Sequence, residues 1–398
     1  MRLLFINSLY YPNHIGGAEV SVQTLAETLA GQGHEVFVLS LGSKEYSTSH
    51  NGVNCYFIRT SNLYSITEAK QQHGWKKLVW HLLDSFNFLY RRKIKSLLAQ
   101  IQPDVVNSNN IQGFSPFIWR VIKQQGLPLV HTMRDYYLMC YRTTLFKNNS
   151  NCNGLCTMCN LTYQLKKGFF KYPDAFIAIS RFTAQQHIAY KVINNKPIQV
   201  IANSVLPQQQ VTANQPGDNI VFGFIGKVIP EKGIEYLLEE IRSLPAGSNY
   251  QLLIAGAYEP AYKKYLDEQY GVADNIQFAG KMNAAHFYNQ VNVVIVPSLW
   301  NEPFGRVPVE AANFNRPVCI ANVGGLQDLY DSSCMWQFSM VKGSLAGILA
   351  AIIGQPAQVQ EKTAGCKTYA QKFNPAYTAE QFTRFVTEII NLQKKRHG

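Results

Sequence analysis

The sequence of 398 residues has few charged side chains and no long apolar run. Charged residues make up 16% of it and hydrophobic residues 46%, a balance that excludes disorder and coiled coils. No apolar run is as long as a membrane-spanning helix. The apolar start turns polar after Ile6, too early for the core of a signal peptide. We therefore expect a cytoplasmic protein.

Acidic residues are also scarce, since 25 of them stand against 37 basic ones and the formal net charge is +12. A basic protein favours anionic partners such as nucleotides, phospholipid surfaces or nucleic acids. No nucleic-acid recognition motif accompanies the charge, so we expect no nucleic-acid partner. No Asp-x-Asp occurs in the chain, so nothing suggests a carboxylate-bound metal on a diphosphate.

Short apolar strands alternate with helical segments along most of the chain, from LLFI and EVFVLSL near the start to RPVCIANVGG. The polar, aperiodic stretch 205–218 interrupts this alternation and predicts a linker. We predict α/β architecture, with doubly wound Rossmann-like domains at 1–204 and 219–374 that face a cleft. A final helix, 375–398, is expected to pack back on the first domain. Ligands of such folds bind at the carboxyl ends of the strands.

The stretch WNEPFGRVPVE follows the apolar strand VNVVIVPS. Gly305 permits a tight turn and Pro308 suits the first turn of a helix, which leaves the amides of residues 304–307 available to an anion. Glu302 is predicted to lie in the loop and Glu310 about two turns along the helix. Taken alone, the same spacing also fits a helix cap and a solvated carboxylate.

Two lysines occupy comparable positions earlier in this half of the chain. Lys227 follows a strand, and Lys232 with Gly233 precedes a helix. Two ammonium groups there can neutralise a diphosphate leaving group, although isolated surface lysines look the same in a sequence. Further on, NVGGLQD predicts another glycine turn that opens a helix.

Together these motifs resemble the family 4 glycosyltransferases. The likeness rests on the E-x7-E stretch Trp300 to Val318 with CIANVGGLQDL after it, and on FIGKVIPEKG, NIQFAGK, VIVPS and YYPNHIGGAEV. It covers nearly the whole chain and implies the two-domain GT-B fold. It also implies a metal-independent hexosyltransferase that moves a sugar from a nucleotide diphosphate sugar to a glycan or lipid-linked hydroxyl, with retention of anomeric configuration, in surface polysaccharide or glycolipid biosynthesis.

The resemblance also assigns roles to individual residues. It places Glu310 on the nucleotide ribose, Glu302 at the donor sugar or its phosphate, and Lys227 and Lys232 on the diphosphate. Lys227 stands where the family usually has Arg, so a bidentate contact becomes a single point charge. The remaining donor-binding positions that it implies are Gly16, Gly17, Gly226, Lys281, Phe304, Gly305, Arg306 and Val307.

In the first half, LVHTMRDYY departs from the family pattern, which often has His-Asp at the end of this strand. Here Arg134 precedes Asp135, and His131 lies on the other strand face from residue 134 because side chains alternate. We predict that Arg134 supplies positive charge near the acceptor or the departing phosphate, with Asp135 orienting it. The alternative is an ion pair that only ties down the loop.

Four of the eight cysteines fall in the loop 140–159, as Cys140, Cys152, Cys156 and Cys159. Their C-x11-C-x3-C-x2-C spacing is compatible with a structural zinc ion, an iron–sulfur cluster, reduced thiols or disulfides. We expect no cofactor in catalysis itself. The other four cysteines are predicted core residues.

The segment 73–98 mixes aromatic and basic residues around a single acid, Asp84. A helix of this composition suits an anionic membrane surface, which suggests a peripheral protein on the inner face of the cytoplasmic membrane. A helix packed on the sheet with a solvated basic face fits equally well. Two other functions stay open: a non-catalytic sugar-nucleotide or membrane-surface binding protein, and a nucleotide-sugar epimerase or hydrolase of the same fold.

Overall fold

The structure is a computed structural model that describes residues 1–397 except 15, 67, 69–71, 73, 208–218 and 272. Most of the predicted linker therefore lies outside the described residues. The chain divides into two compact units. The first contains Met1–Leu145, Asn153–Ser204 and Pro375–Gly398, and the second contains Phe146–Cys152 and Val205–Asn374. The second unit thus includes a short segment from the first half of the sequence.

The strands are β1 Arg2–Ile6, β2 Glu35–Gly42, β3 Tyr46–His50, β4 Val53–Arg59, β5 Val105–Ser108, β6 Leu129–Met133, β7 Phe146–Lys147, β8 Ser150–Asn151, β9 Ala175–Ala178, β10 Ile198–Val200, β11 Ile220–Ile225, β12 Tyr250–Ala255, β13 Ile276–Gly280, β14 Val293–Val296, β15 Val318–Ala321 and β16 Met335–Phe338.

The α-helices are α1 Gly17–Gly31, α2 Gly74–Ser85, α3 Arg91–Ile101, α4 Phe117–Lys123, α5 Thr157–Lys167, α6 Arg181–Ala189, α7 Ile234–Arg242, α8 Pro260–Tyr270, α9 Ala284–Gln290, α10 Val307–Asn313, α11 Ser344–Gly354, α12 Ala357–Gln371 and α13 Pro375–His397. Two 3-10 helices lie at Pro230–Lys232 and Gly324–Leu329. Within the described ranges, no helix is both long enough and apolar enough to cross a membrane.

The first unit is built on an eight-stranded sheet in the order β10-β9-β6-β5-β1-β2-β4-β3. Neighbouring strands are parallel except β3 and β4. The strands are nearly continuous apolar runs because helices cover the sheet. Helices α1 and α13 share one core cluster with β1 and β2, and the ring of Phe382 stacks on Phe5 at 5.4 Å between centroids. Each large apolar side chain buried there contributes about 1.5–3 kcal/mol.

The second unit is built on a six-stranded parallel sheet in the order β13-β12-β11-β14-β15-β16. The chain moves outward from β11 to β13, then returns to the middle and moves outward the other way from β14 to β16. The direction of winding therefore changes between β11 and β14. In open α/β sheets this switch point creates a crevice outside the carboxyl ends of the two strands, where ligands bind.

The two mainly parallel sheets, with helices between most successive strands, confirm the predicted α/β class. One detail of the prediction is wrong. The segment 73–98 is not one helix, because α2 ends at Ser85 and α3 begins at Arg91. Between them the Asn87 side chain accepts a hydrogen bond from the Leu89 amide, which competes with helix continuation. The stretch NVGGLQD opens a helix as predicted, and that helix is a short 3-10 helix at Gly324–Leu329.

Candidate functional site

Three loops meet at the carboxyl ends of β11, β14 and β15, which are adjacent strands of the second sheet. The backbone amides of Leu299 and Trp300 both donate to the carbonyl of Glu231, at 3.1 and 3.2 Å. The amide of Gly325 donates to the carbonyl of Glu302 at 2.7 Å. The loop after β14 is therefore held on both sides by backbone hydrogen bonds, which positions it at the switch point.

Gly233 allows the first of these contacts. Its φ is 72°, in the left-handed region, and a Cβ placed on it would lie 1.8 Å from the carbonyl oxygen of Pro297. Both the conformation and the approach require glycine. Helix α7 begins at the next residue, so this glycine brings the 3-10 turn that carries Lys232 directly against the loop after β14.

Lys232 and Glu302 lie together at the centre of the three loops. The Lys232 Nζ donates to Oε1 of Glu302 at 2.7 Å, and the Ser298 hydroxyl donates to the same oxygen. The ammonium also lies 5.4 Å from the ring centroid of Trp300. Glu302 is buried, with 8% of its surface exposed, so the ion pair is fixed and partly desolvated. An ammonium held this way can donate its remaining protons to phosphate oxygens.

Glu310 lies in the first turn of α10, which corrects the prediction of two turns along the helix. The helix begins only at Val307, because Gly305 has a φ of 85° and turns the chain directly before it. Arg306 Nε donates to Oε1 of Glu310 at 2.9 Å. The two residues form an ion pair one helical turn apart, with both side chains partly exposed.

Three other predicted donor residues follow strand ends of the same sheet. Gly226 directly follows β11, and its carbonyl oxygen lies 1.6 Å from the position that a Cβ on Gly256 would take. Lys227 follows it and is exposed, as is Lys281 after β13. Strand β13, which precedes Lys281, lies two strands, or roughly 10 Å, from β11, which leads to Lys232. The structure therefore brings Lys232, Glu302 and the Phe304–Val307 turn together and sets Lys281 apart.

In the first unit, Arg134 follows β6 and is held by two amide side chains. Its Nε donates to Asn109 Oδ1 at 2.8 Å and its Nη1 donates to Asn203 Oδ1 at 2.5 Å. Asp135 accepts a hydrogen bond from the Tyr137 amide at 2.8 Å, and burial raises the pKa of its carboxyl to about 6. The role predicted for this pair stays a prediction.

His131 is a buried residue of β6. Its Nδ1 lies 3.0 Å from the Ser108 hydroxyl, and its ring makes an edge contact with Trp119 at 4.9 Å. Burial lowers its pKa to about 3, so the imidazole is neutral near pH 7. A neutral, packed histidine agrees with a structural role.

Gly16 and Gly17 stand at the start of α1. The amide of Gly16 donates to the carboxylate of Glu19 at 2.9 Å, which closes a capping box at this helix end. An anion at the Gly16 amide would have to compete with Glu19. The predicted role of these two glycines in donor binding stays a prediction.

Asn151, on strand β8, is a site residue that sequence reasoning missed. Its Nδ2 donates to the carbonyl of Leu299 at 2.8 Å, and its Oδ1 accepts from the amide of Asn301 at 2.9 Å. One side chain therefore holds the backbone at both Leu299 and Asn301, directly before Glu302. Nothing in the sequence marks Asn151 as a site residue, because it is one of several asparagines in a polar loop without periodicity.

Lys166 on α5 is a second residue that was missed. It is almost fully buried, with 1% of its surface exposed, and its ammonium donates to the carbonyl of Tyr137 while lying 4.1 Å from that ring. Burial lowers its pKa to about 8. Asp84 on α2 is buried beside this network and accepts a hydrogen bond from the Gly113 amide at 2.5 Å.

None of the eight cysteines, all of which lie in the described ranges, forms a disulfide bond. Cys140 and Cys159 are buried with 3.5 Å between their sulfurs, Cys152 is partly buried and Cys156 exposed. Over the described ranges, no group of three or more His, Cys, Asp or Glu side chains is placed to hold a metal ion. Cys55, Cys319, Cys334 and Cys366 are buried, in agreement with their interpretation as core residues.

Comparison with known proteins links this geometry to a family. The family model "Glycosyltransferase Family 4" matches residues 15–209, and the model "Glycosyl transferases group 1" matches residues 207–332. An uncharacterized 42.6 kDa protein in the cps region of Klebsiella pneumoniae is 31% identical over 331 residues. That alignment covers 83% of this chain and 87% of the relative.

Solved structures with little sequence identity share the fold. Sucrose-phosphate synthase from Thermosynechococcus elongatus superposes with a TM-score of 0.76 at 19% identity, over 98% of this chain and 99% of that one. The Anabaena protein HepE, solved in complex with UDP, superposes with a TM-score of 0.71 at 15% identity, over 98% of this chain and 100% of that one.

Proposed function

Because the chain belongs to glycosyltransferase family 4, we propose that it transfers a hexose from a nucleotide diphosphate sugar to a hydroxyl of a glycan or lipid-linked acceptor, with retention at the anomeric carbon. The observation that carries the proposal is the Lys232–Glu302 pair at the switch point of the second sheet. A fixed ammonium beside a glycine turn and a helix start suits a diphosphate.

In the proposed reaction the acceptor oxygen forms a bond to the anomeric carbon while the bond from that carbon to the phosphate oxygen breaks. The departing phosphate takes the acceptor's proton, so the protein need not supply a strong base. Lys232 stabilises the charge that develops on the phosphate, together with the amides of Phe304 to Val307. No metal ion is required for this step, because the ammonium and the amides supply the positive charge.

The two glutamates have separate roles in this proposal. Glu302 orients Lys232 through the 2.7 Å hydrogen bond and lies next to the donor sugar. Glu310 accepts hydrogen bonds from the ribose hydroxyls and is oriented by Arg306. Lys227, exposed after β11, adds a second positive charge for the diphosphate. The HepE complex with UDP supports a nucleotide-sugar donor.

We further propose that the acceptor belongs to the assembly of a surface polysaccharide, as a capsule or lipopolysaccharide glycan. The relative from the cps region of Klebsiella pneumoniae supports this context, since it aligns with most of this chain. A lipid-linked acceptor would place the enzyme at the inner face of the cytoplasmic membrane.

Membrane contact is supported by an exposed apolar surface on α2 and the turn after it, which we call the apolar ridge. Its large apolar side chains are all exposed: Trp75, Leu78, Val79, Leu83, Phe86, Phe88 and Leu89. Basic residues at 91–93 and 95 follow directly and are exposed as well. Asp84, the acid of this segment, is buried. Lys93 pairs with Glu45, but an apolar ridge followed by the exposed residues Arg91 and Arg92 suits an anionic lipid surface.

The donor can be identified by measuring thermal unfolding of the whole protein with a panel of nucleotide sugars. A ligand at a hundred times its dissociation constant adds about 2.7 kcal/mol of stability, so the true donor should raise Tm more than the others. The donor is then incubated with an extracted glycan and lipid pool, and transfer is followed by mass spectrometry. Rapid donor consumption without acceptor would favour an epimerase or hydrolase, and binding without transfer would favour a binding protein.

Lys232→Ala tests the residue that carries the proposal. Loss of one preorganised donor to the developing charge should lower kcat by about 10²–10³-fold without loss of the fold. Lys264→Ala is the matched control, because Lys264 is a strongly exposed lysine of the same unit that pairs with Glu268 in the following turn of its helix. Equal turnover of the two variants would refute the assignment.

A further inference from the structure

The hairpin formed by β7 and β8 belongs to the second unit, although its residues come from the first half of the sequence. Its two central residues, Asn148 and Asn149, have φ values of 52° and 55°. Positive φ at both central residues is typical of a type I′ turn, the tight connection that matches the twist of a hairpin. The turn sets the register, in which Phe146 lies opposite Asn151.

One face of this hairpin is buried and the other is exposed. Residues directly opposite each other in an antiparallel pair lie on the same face, so Phe146 shares a face with Asn151, and Lys147 shares the other face with Ser150. Phe146 is buried and Asn151 partly buried, whereas Lys147 and Ser150 are both exposed. The register therefore places the Asn151 side chain on the packed face, beside a buried aromatic ring.

The side-chain amide of Asn151 bonds to the backbone on both sides of Trp300. Its Nδ2 donates to the carbonyl of Leu299 at 2.8 Å, and its Oδ1 accepts from the amide of Asn301 at 2.9 Å. An amide side chain carries a donor and an acceptor at once, whereas an ionised carboxylate of the same shape has acceptors only. Asparagine therefore satisfies both backbone groups, and an ionised aspartate could satisfy only one of them.

The backbone that Asn151 holds leads directly to the ion pair of the site. A Cβ on Gly324 would lie 2.6 Å from the Cα of Asn301, so the turn after β15 packs closely against this backbone. One residue further on, the Glu302 carboxylate accepts the hydrogen bond from Lys232 Nζ at 2.7 Å. Asn151 comes from a distant part of the chain, 148 and 150 residues from its two partners. A shift of the backbone at Asn301 would move the carboxylate and the ammonium with it.

We propose that Asn151 is a positioning residue of the donor site. By fixing the backbone around Trp300, it keeps Glu302 where that carboxylate holds the Lys232 ammonium for the departing phosphate. Asn151 itself touches neither the donor nor the acceptor. The inference rests on the proposed function, because it assigns Asn151 to the transfer step. A misplacement of about 1 Å can cost about 10²-fold in rate, so losing the two hydrogen bonds should be visible in turnover.

Asn151→Ala removes both hydrogen bonds and is tested with the nucleotide sugar that gives the largest rise in Tm. We expect kcat to fall by about 10–10²-fold. The dissociation constant of the nucleotide sugar, from a thermal-shift titration, should change little, because Glu310 and the Phe304–Val307 turn are unaltered. Asn153→Ala is the matched control, since Asn153 is an exposed asparagine two residues further along the chain. A kcat for Asn151→Ala equal to that of the control would overturn the inference.

Asn151→Asp gives a readout that a loss of packing would not give. Its carboxylate accepts from the Asn301 amide but has no proton for the Leu299 carbonyl. Lowering the pH from about 8 to about 5 protonates a growing fraction of this carboxyl, and the neutral form can make both bonds. The kcat of the variant divided by that of wild type should therefore rise as the pH falls, and a flat ratio would contradict the proposal. The charged residues of the segments in contact with Asn151 titrate in both proteins and cancel in the ratio: Lys147, Glu231, Lys232 and Glu302.

Amide hydrogen exchange, resolved to single residues by mass spectrometry, tests the same contact without turnover. In wild type the Asn301 amide should be protected like those of Leu299 and Trp300, which donate to the Glu231 carbonyl, and Asn151→Ala should speed its exchange. Fast exchange of Asn301 in wild type would overturn the inference, as would faster exchange in the variant with kcat unchanged. If wild type transfers no sugar from any donor of the panel, the proposed function fails, and the exchange rates still decide whether Asn151 holds the loop.

Discussion

At the scale of single residues, the compact arrangement of the candidate donor site depends on Gly233. We expect Gly233→Ala to destabilise the second unit and to abolish donor binding, because its Cβ would meet the Pro297 carbonyl oxygen at 1.8 Å. Gly247→Ala is the matched control, since Gly247 also has positive φ but no atom within 4 Å of its Cβ position. Its cost should be only the left-handed strain of about 1–2 kcal/mol.

The two glycine variants are compared by urea unfolding and by the donor-induced shift in Tm. The space around each glycine is what differs between them, because their φ values are 72° and 81°. Equal losses of stability in both variants, with donor binding retained, would contradict the role given to the Gly233–Pro297 contact.

From the sequence, the residue types that gather at the donor site were predicted correctly. The local geometry of these residues was predicted less well. Lys232 and Glu302 lie 70 residues apart in the chain and meet at 2.7 Å, as expected where two strand ends adjoin. The position of Glu310 on its helix was wrong, since the helix start depends on one residue's φ. Asn151 was missed because its partners are backbone groups, which every residue has.

At the scale of helices and loops, the buried acid on α2 should give stability an unusual pH dependence. Burial raises the pKa of Asp84 from 3.8 to about 7, so the folded state favours the neutral carboxyl. The stability that this provides is complete below pH 4 and is lost as the pH rises to 7. The nearby charged groups are Lys166, which lowers the pKa of Asp84, and Asp135, which raises it.

The prediction is tested with Asp84→Asn. The free energy of unfolding of wild type minus that of the variant should fall between pH 4 and pH 7, as measured by urea unfolding. Asp331→Asn is the control, because hydrogen bonds from Lys372 and Ser333 lower the pKa of Asp331 to about 2. Its difference from wild type should stay flat over the same range. A flat curve for Asp84→Asn would show that the carboxyl is ionised throughout.

Strands were more predictable than the other elements. Parallel strands covered on both faces are continuous apolar runs, so VVIV of β14 and VCIA of β15 are visible in the sequence. Strand β3, YSTSH, was not predicted because it is a largely exposed edge strand without apolar residues on a buried face. The break between α2 and α3 depends on a side-chain contact of Asn87, which periodicity does not encode.

At the scale of the whole molecule, the net charge of +12 and the apolar ridge predict binding to anionic vesicles. We expect the protein to sediment with vesicles containing phosphatidylglycerol and not with phosphatidylcholine alone. Trp75→Ser with Phe88→Ser should weaken binding by removing exposed apolar area. Arg91→Gln with Arg92→Gln should weaken it by about 1 kcal/mol per charge and reduce its salt dependence.

The control for the ridge is Val341→Ser with Tyr377→Ser, two exposed apolar residues outside it. These changes should leave vesicle binding as in wild type. Sedimentation that is the same for all variants, or the same for neutral and anionic vesicles, would exclude the ridge as the membrane contact.

The division of the chain also determines the order in which a growing polypeptide can complete each unit. The first unit receives α13, whose Phe382, Phe385 and Val386 enter its core, only after the whole second unit has been translated. The hairpin Phe146–Cys152 leaves the ribosome before the strands of the unit that takes it in. Neither half can therefore mature on its own during synthesis, and separate expression of residues 1–204 would leave an open apolar groove where a chaperone or another chain can bind.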